Sequence, residues 1–380
     1  MDDPCSPRQR MLAAYEGRWS DVVPVAPEFW YYVPAKLLGM PMYQFELEIP
    51  HWQALQHTFR HYQCEGWGIV APEVPANYGV HQATRNRRLE EGRYEVTSTL
   101  ERAGHILTSR TIMDAREPSW IVERYVKDFD ADWPVYAQYA LVPPDEMNWR
   151  PVQQALDAVG DDYLLEVFVG YPFIDFAGGQ REGGLEQVVV DLLEREEVMR
   201  ELQQHHIENT VGTIRAAFAK TGARSIFIAS SWSSLSLLSP ALWRKWEKPL
   251  LEAAVQATHE CGGLIHHHFH GKCMRILPEL AGLGLDCICP FERPPGGDVT
   301  DLQLVRSVLA ERTTFNGNVH TVNALIRGQP GDVRREVTEI LEAFSGSPRL
   351  IIGTGDQVGG ETPEENIATL IQTVRELGKR

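Results

Sequence analysis

The chain has 380 residues, 43% of them hydrophobic, and a formal net charge of -16. That length and apolar content can bury a large core and exclude a disordered chain. The acidic balance argues against a nucleic-acid surface and against docking on anionic membranes, since both need a basic face; a small molecule or a protein partner remains.

Met1-Asp2-Asp3-Pro4 offers no basic segment ahead of an apolar stretch. No run reaches the roughly 18 apolar residues of a membrane span, so the expected location is the cytoplasm. The six cysteines form no CxxC pair and are expected to stay thiols.

In chain order, a short helix is expected from Arg8 to Tyr15, then an apolar run from Val22 to Phe29 that ends in Trp30-Tyr31-Tyr32. Such an aromatic cluster after a strand suits either a pocket or a packed corner. A helical segment from His51 to Gln63 precedes a second buried run, Gly66 to Pro72. From about Tyr94 to Tyr139 the pattern alternates, with a turn at Ala103-Gly104, which predicts an inserted antiparallel hairpin or small sheet. Beyond Pro143, apolar runs alternate with helical segments: Leu164 to Tyr171, Ser225 to Ser231, Leu264 to His270, Leu285 to Pro290, Thr313 to Val319 and Arg349 to Gly355. With the two early runs these make eight strands. Crossover helices between parallel strands then predict a single (β/α)8 TIM barrel over residues 1–380, carrying the β insertion in its N-terminal half. No Gly-rich dinucleotide fingerprint follows the first strand, which disfavours an open doubly wound sheet.

Chemistry in such a barrel belongs where strands end and loops begin. The stretch Leu264-Ile265-His266-His267-His268-Phe269-His270-Gly271 crowds four imidazoles at one strand end. Alternation puts His268 and His270 on one face, opposite His267 and Phe269, and two imidazoles on one face make a pair of metal ligands. The other strand ends supply Trp30, Tyr31, Tyr171, Trp232, Glu292, Asn318, His320 and Asp356, a rim of polar, aromatic and metal-ligating types. Cys287 and Cys289 lie inside a strand and read as small core residues.

Ser239-Pro240-Ala241-Leu242-Trp243, Gly262-Gly263-Leu264, His268-Phe269-His270-Gly271, Gly317-Asn318-Val319-His320 and Ile351-Ile352-Gly353-Thr354-Gly355-Asp356 with Thr362-Pro363-Glu364-Glu365-Asn366 together resemble the uroporphyrinogen decarboxylase superfamily. The resemblance lies mostly in the C-terminal half. It implies a barrel and one of two chemistries: porphyrinogen decarboxylation without a cofactor, or zinc-dependent methyl transfer to or from corrinoid proteins. The decarboxylases of that superfamily grip porphyrin carboxylates with an arginine-rich N-terminal segment, where this chain has Phe29-Trp30-Tyr31-Tyr32-Val33. Its thiol methyltransferases hold zinc on a His-x-Cys-Gly strand end and on a cysteine after the last strand. Here those positions hold His268-Phe269-His270-Gly271 and Asp356, so the resemblance implies zinc on His268, His270 and Asp356.

Two imidazoles and one carboxylate leave zinc about one positive charge, a harder Lewis acid than a site with two thiolates. The expected reaction is therefore transfer of a methyl group from a small O-methyl donor, with N- or S-methyl donors as variants, to a corrinoid (cobalamin) protein. Glu292 and His320 are the expected catalytic groups, and Trp30, Tyr31, Tyr171, Trp232 and Asn318 the expected substrate contacts. The alternatives are a metal-free decarboxylase, methyl transfer from a methylcorrinoid to a thiol or pterin, and a non-catalytic barrel that binds a small molecule.

Overall fold

The computed structural model describes residues 5–76 and 78–380; the reading of Met1 to Pro4 lies outside them. Eight parallel strands form one curled sheet: β1 (Val25–Ala26), β2 (Trp67–Val70), β7 (Leu164–Phe168), β8 (Ser225–Ser230), β9 (Leu264–Phe269), β10 (Cys287–Pro290), β11 (Thr314–Val319) and β12 (Leu350–Thr354). The remaining strands, β3 (His81–Glu90), β4 (Arg93–Arg102), β5 (His105–Asp114) and β6 (Trp120–Glu123), form a separate antiparallel sheet between β2 and β7. This is the expected TIM barrel with its insertion. The barrel strands are buried on both faces, because helices cover the outside and side chains fill the inside, so they read as near-continuous apolar runs.

The ladder runs β1-β12-β11-β10-β9-β8-β7-β2, and a side chain bridges its two ends. The Val25 amide donates to Glu65 Oε2 at 2.9 Å, and Arg10 and Arg375 bind the same fully buried carboxylate at 2.9 Å each. The helix Pro7–Tyr15, capped by Ser6, brings Met11 and Tyr15 into the core shared with Trp67, Phe227, Cys287 and Cys289. No described helix is long and apolar enough to cross a membrane.

The insertion differs from the expected Tyr94 to Tyr139 at both ends. It begins at His81, because β3 (HQATRNRRLE) is an edge strand exposed on both faces and so shows no apolar alternation. Its last part, Phe129–Ala140, is a helix capped by Asp128. The turn at Ala103-Gly104 is present, with φ of 50° and 83°, the geometry of a tight hairpin turn.

Glu247, between the helices Pro240–Trp246 and Lys248–Glu260, is fully buried and accepts from the Ile174 amide at 2.8 Å. Burial, and then the charge of Asp175, pushes its carboxyl up from 4.5 to about 8. A folded value above the unfolded one means stability that is fully present below about pH 4.5 and is lost as pH rises through 8. Urea unfolding between pH 5 and pH 9 should therefore show a decline that Glu247→Gln reduces by up to roughly 4 kcal/mol. An equal decline in the variant would contradict the assignment.

Candidate functional site

Strand β9 ends at Phe269, and two residues on stands Gly271, whose φ of 78° and close approach to Ser234 leave no room for a side chain. Before it, His266, His268 and His270 face the barrel interior and His267 faces away, 2.9 Å from Ser230 Oγ and packed on Phe269. The parallel register sets His268 beside Ala229 of β8 and Cys289 of β10, and His266 beside Phe227 and Cys287. Cys289 Sγ consequently lies 3.0 Å from His266 Nε2 and 3.1 Å from His268 Nδ1. At its other nitrogen His266 meets Glu166 Oε2 at 2.8 Å and the Tyr15 hydroxyl at 2.9 Å.

This buried chain runs from the floor of the barrel to the site. It fixes His268 through its Nδ1 edge and leaves the Nε2 edge for the cavity. Burial pushes the Cys289 thiol well up, so the bridging sulfur keeps its proton. Burial also raises the Glu166 carboxyl, against the opposing influence of His266.

The cavity above this chain has a volume of about 160 Å³. One wall is aromatic: Trp30, Trp67, Phe227, Phe168 and Tyr171 follow one another with ring centroids 5.0 to 6.3 Å apart. Glu28, His268, His270 and Asp356 also line it, and neither lysine nor arginine does. The His268 and His270 rings are 4.3 Å apart. Glu292 holds His270 by Nδ1 at 2.5 Å and the Gly271 amide at 2.9 Å.

The electrostatics follow from burial among carboxylates. Burial pulls His270 down, but the Glu292 hydrogen bond and the charges of Asp356 and Glu28 raise it to about 9. His268 is pushed well below its ordinary value by burial and by His270. Glu28 rises to about 8 through burial and the neighbouring Asp356, and burial raises Asp356 as well.

Two imidazoles and two carboxyls on one lining are donor types that suit zinc, and binding through His270 would displace the proton that Glu292 and the neighbouring carboxyls keep on that ring. Among the described residues, no three His, Cys, Asp or Glu side chains already stand at metal-ligand spacing. His268, His270 and Asp356 share one cavity, and binding would have to draw them onto one point.

Of the other expected site residues, Trp30 and Tyr171 line this cavity, Tyr31 lines a larger one beside it, and Glu292 stands behind His270. Three expectations need correction. His320 caps the helical turn Thr321–Ile326: its Nδ1 accepts from the Val322 and Asn323 amides and its Nε2 meets the Pro294 carbonyl, so both nitrogens are engaged. Asn318 is fully buried and ties the Phe291 carbonyl to Arg293. Trp232 is 43% exposed and does not line the cavity; its amide donates to Asp175. Sequence reasoning missed Glu28, Glu166 and Cys289. The available signal was a carboxylate inside an apolar strand run, which costs free energy unless it serves a purpose.

A family model described as "Uroporphyrinogen decarboxylase (URO-D)" matches residues 150–377. Curated relatives include a uroporphyrinogen decarboxylase of Thermus thermophilus, 28% identical over 213 residues, which are 55% of this chain and 59% of that protein. One from Coxiella burnetii is 24% identical over 251 residues, 61% of this chain and 66% of that protein. The matched part thus spans about three fifths of the length of these relatives. Among solved structures, a methyltransferase from Methanosarcina mazei superposes with a TM-score of 0.68 at 17% identity, covering 98% of this chain and 99% of that one, a likeness of fold.

Proposed function

The chain belongs to the uroporphyrinogen decarboxylase family, and from that premise we propose that it is a zinc-dependent methyltransferase, passing a methyl group from a small O-methyl donor to the corrinoid of a partner protein. The observation that carries the reading is the lining of the inner cavity: His268, His270, Asp356 and Glu28 opposite an aromatic wall, with neither lysine nor arginine. A substrate bearing many carboxylates would find only the His270 imidazolium, already held by Glu292, beside the carboxyls of Glu28 and Asp356, which weighs against porphyrinogen decarboxylation.

Zinc on His268, His270 and Asp356 would supply a Lewis acid that steadies negative charge on the departing oxygen. The protein's own groups do the rest. Cys289 and Glu292 hold the two imidazoles in place, one from below and one from the side. The aromatic wall keeps water from the reacting carbon. Glu28 holds a proton up to about pH 8 and stands ready to pass it to the product oxygen.

If ligand charge sets the preference for oxygen, then His270→Cys combined with Asp356→Cys should shift it towards thiols. The test follows methylcobalamin formation by absorbance, using reduced cobalamin and a panel of methyl ethers, methylamines and methyl thioethers. The parent should use methyl ethers best, and the double variant should change the ether-to-thioether ratio by about tenfold or more. An unchanged ratio would assign the preference to pocket shape, and activity confined to thiol methylation would overturn the reading.

A further inference from the structure

A further cavity, of about 200 Å³, lies on the far side of the aromatic wall, between the end of β7, the segment that follows β2 and the helix Glu196–Lys220. Phe168 and Tyr171 line both it and the inner cavity, so they form the partition between the two. Leu141, Met147 and Phe176 give it an apolar body. The helix supplies polar groups from one face, because His206, Asn209, Thr210 and Thr213 recur at the spacing of successive turns. Among the described residues no lysine, arginine, aspartate or glutamate lines it.

His206 is 4% exposed and is held on two sides. Its Nε2 lies 2.8 Å from the Tyr171 carbonyl, and Phe176 stacks on its face with ring centroids 4.1 Å and planes 10° apart. A carbonyl only accepts, so Nε2 carries the hydrogen, and burial, which lowers the ring to about 4, keeps it neutral. Nδ1 is therefore a lone pair, and among the described residues it has no partner. A buried acceptor without a donor costs free energy, and the stack with the Tyr171 bond keeps the ring from turning to find one. Nearby polar groups are spent on the protein itself: the Thr213 hydroxyl donates to the Asn209 carbonyl and the Asn209 side-chain amide to the Val142 carbonyl, each at 2.9 Å. One turn along from His206, the Thr210 hydroxyl can accept as well as donate.

We propose that this cavity is a separate binding site for a small, neutral alcohol with an apolar body, whose hydroxyl donates to His206 Nδ1 while its carbons pack on Leu141, Met147 and Phe176. An ammonium or a carboxylate would lose its hydration there and meet no opposite charge. A ligand so seated braces Phe168 and Tyr171 from behind. The assignment rests on the cavity and its unpartnered nitrogen, and it stands whether or not the methyl-transfer reading holds.

The test is a calorimetric titration of the purified protein with cyclohexanol, cyclohexanone, cyclohexylamine and cyclohexanecarboxylate, probes that share one ring body. Cyclohexanol should bind, cyclohexanone about tenfold more weakly because it has no hydrogen to donate, and the two charged probes more weakly still. His206→Phe keeps a ring against Phe176 and removes the acceptor, so it should weaken cyclohexanol about tenfold and leave cyclohexanone within about twofold. Met147→Trp, which fills the cavity, should weaken both about tenfold or more while the thermal unfolding midpoint is kept. Cyclohexanone binding as tightly as cyclohexanol, or unchanged cyclohexanol affinity in His206→Phe, would overturn the proposal. Binding of none of the probes would leave Nδ1 to solvent and overturn it as well. If a variant does not fold, the order of the probes on the parent protein decides.

Discussion

Replacing Glu65 by alanine is expected to destabilise the protein by about 3–5 kcal/mol, the range for removing one member of a buried charged network. Glu65 is fully buried where the strand ladder ends at β1 and β2. It accepts from the Val25 amide and from both Arg10 and Arg375, each at 2.9 Å. Alanine would orphan a strand amide and leave two guanidinium groups facing each other across the seam. Asp21 would still hold Arg10, so the loss would fall mostly on Val25 and Arg375. Glu65→Gln keeps one acceptor and the shape, and should cost less than half as much. Urea unfolding at pH 7 checks this, and a cost below about 1 kcal/mol for the alanine variant would show that the seam does not depend on the carboxylate.

The barrel was legible because its strands are buried on both faces. Runs such as Ser225–Ser230 and Leu350–Thr354 carry that burial in their composition, whichever neighbours they pair with. β3 was not legible, since an exposed edge strand made of Arg, Asn and Gln pairs through its backbone and shows no apolar period. β1 was overread: only Val25–Ala26 join the ladder out of the apolar run from Val22 to Phe29.

The alternation of β9 was readable, and it correctly placed His268 and His270 on the face opposite His267. What that face touches was not readable. The Cys289 bridge and the Glu166 contact need the register of β9 against β10 and the position of β7 across the barrel, both set by pairings far apart in sequence. His320 misled for a local reason. A histidine after a strand end can serve as a helix cap as well as a ligand, and only the geometry of the following turn decides.

His268→Ala is expected to abolish zinc binding and to lower methyl transfer to cobalamin by about a thousandfold. His268 is 6% exposed, and it touches Cys289 through Nδ1 and packs on Trp67 and Phe227. Its removal therefore also has a structural cost, of roughly 1–3 kcal/mol, which leaves the barrel folded. Circular dichroism and urea unfolding should separate the two effects. A variant that keeps its fold and loses its metal places His268 in the site, whereas a variant that unfolds places it in the core.

The zinc content of purified parent and His268→Ala proteins, measured by plasma emission after exhaustive dialysis against zinc-buffered solution, tests the central claim most directly. The parent should hold one zinc per chain and the folded variant close to none. Equal zinc in both proteins, or none in the parent, would contradict it.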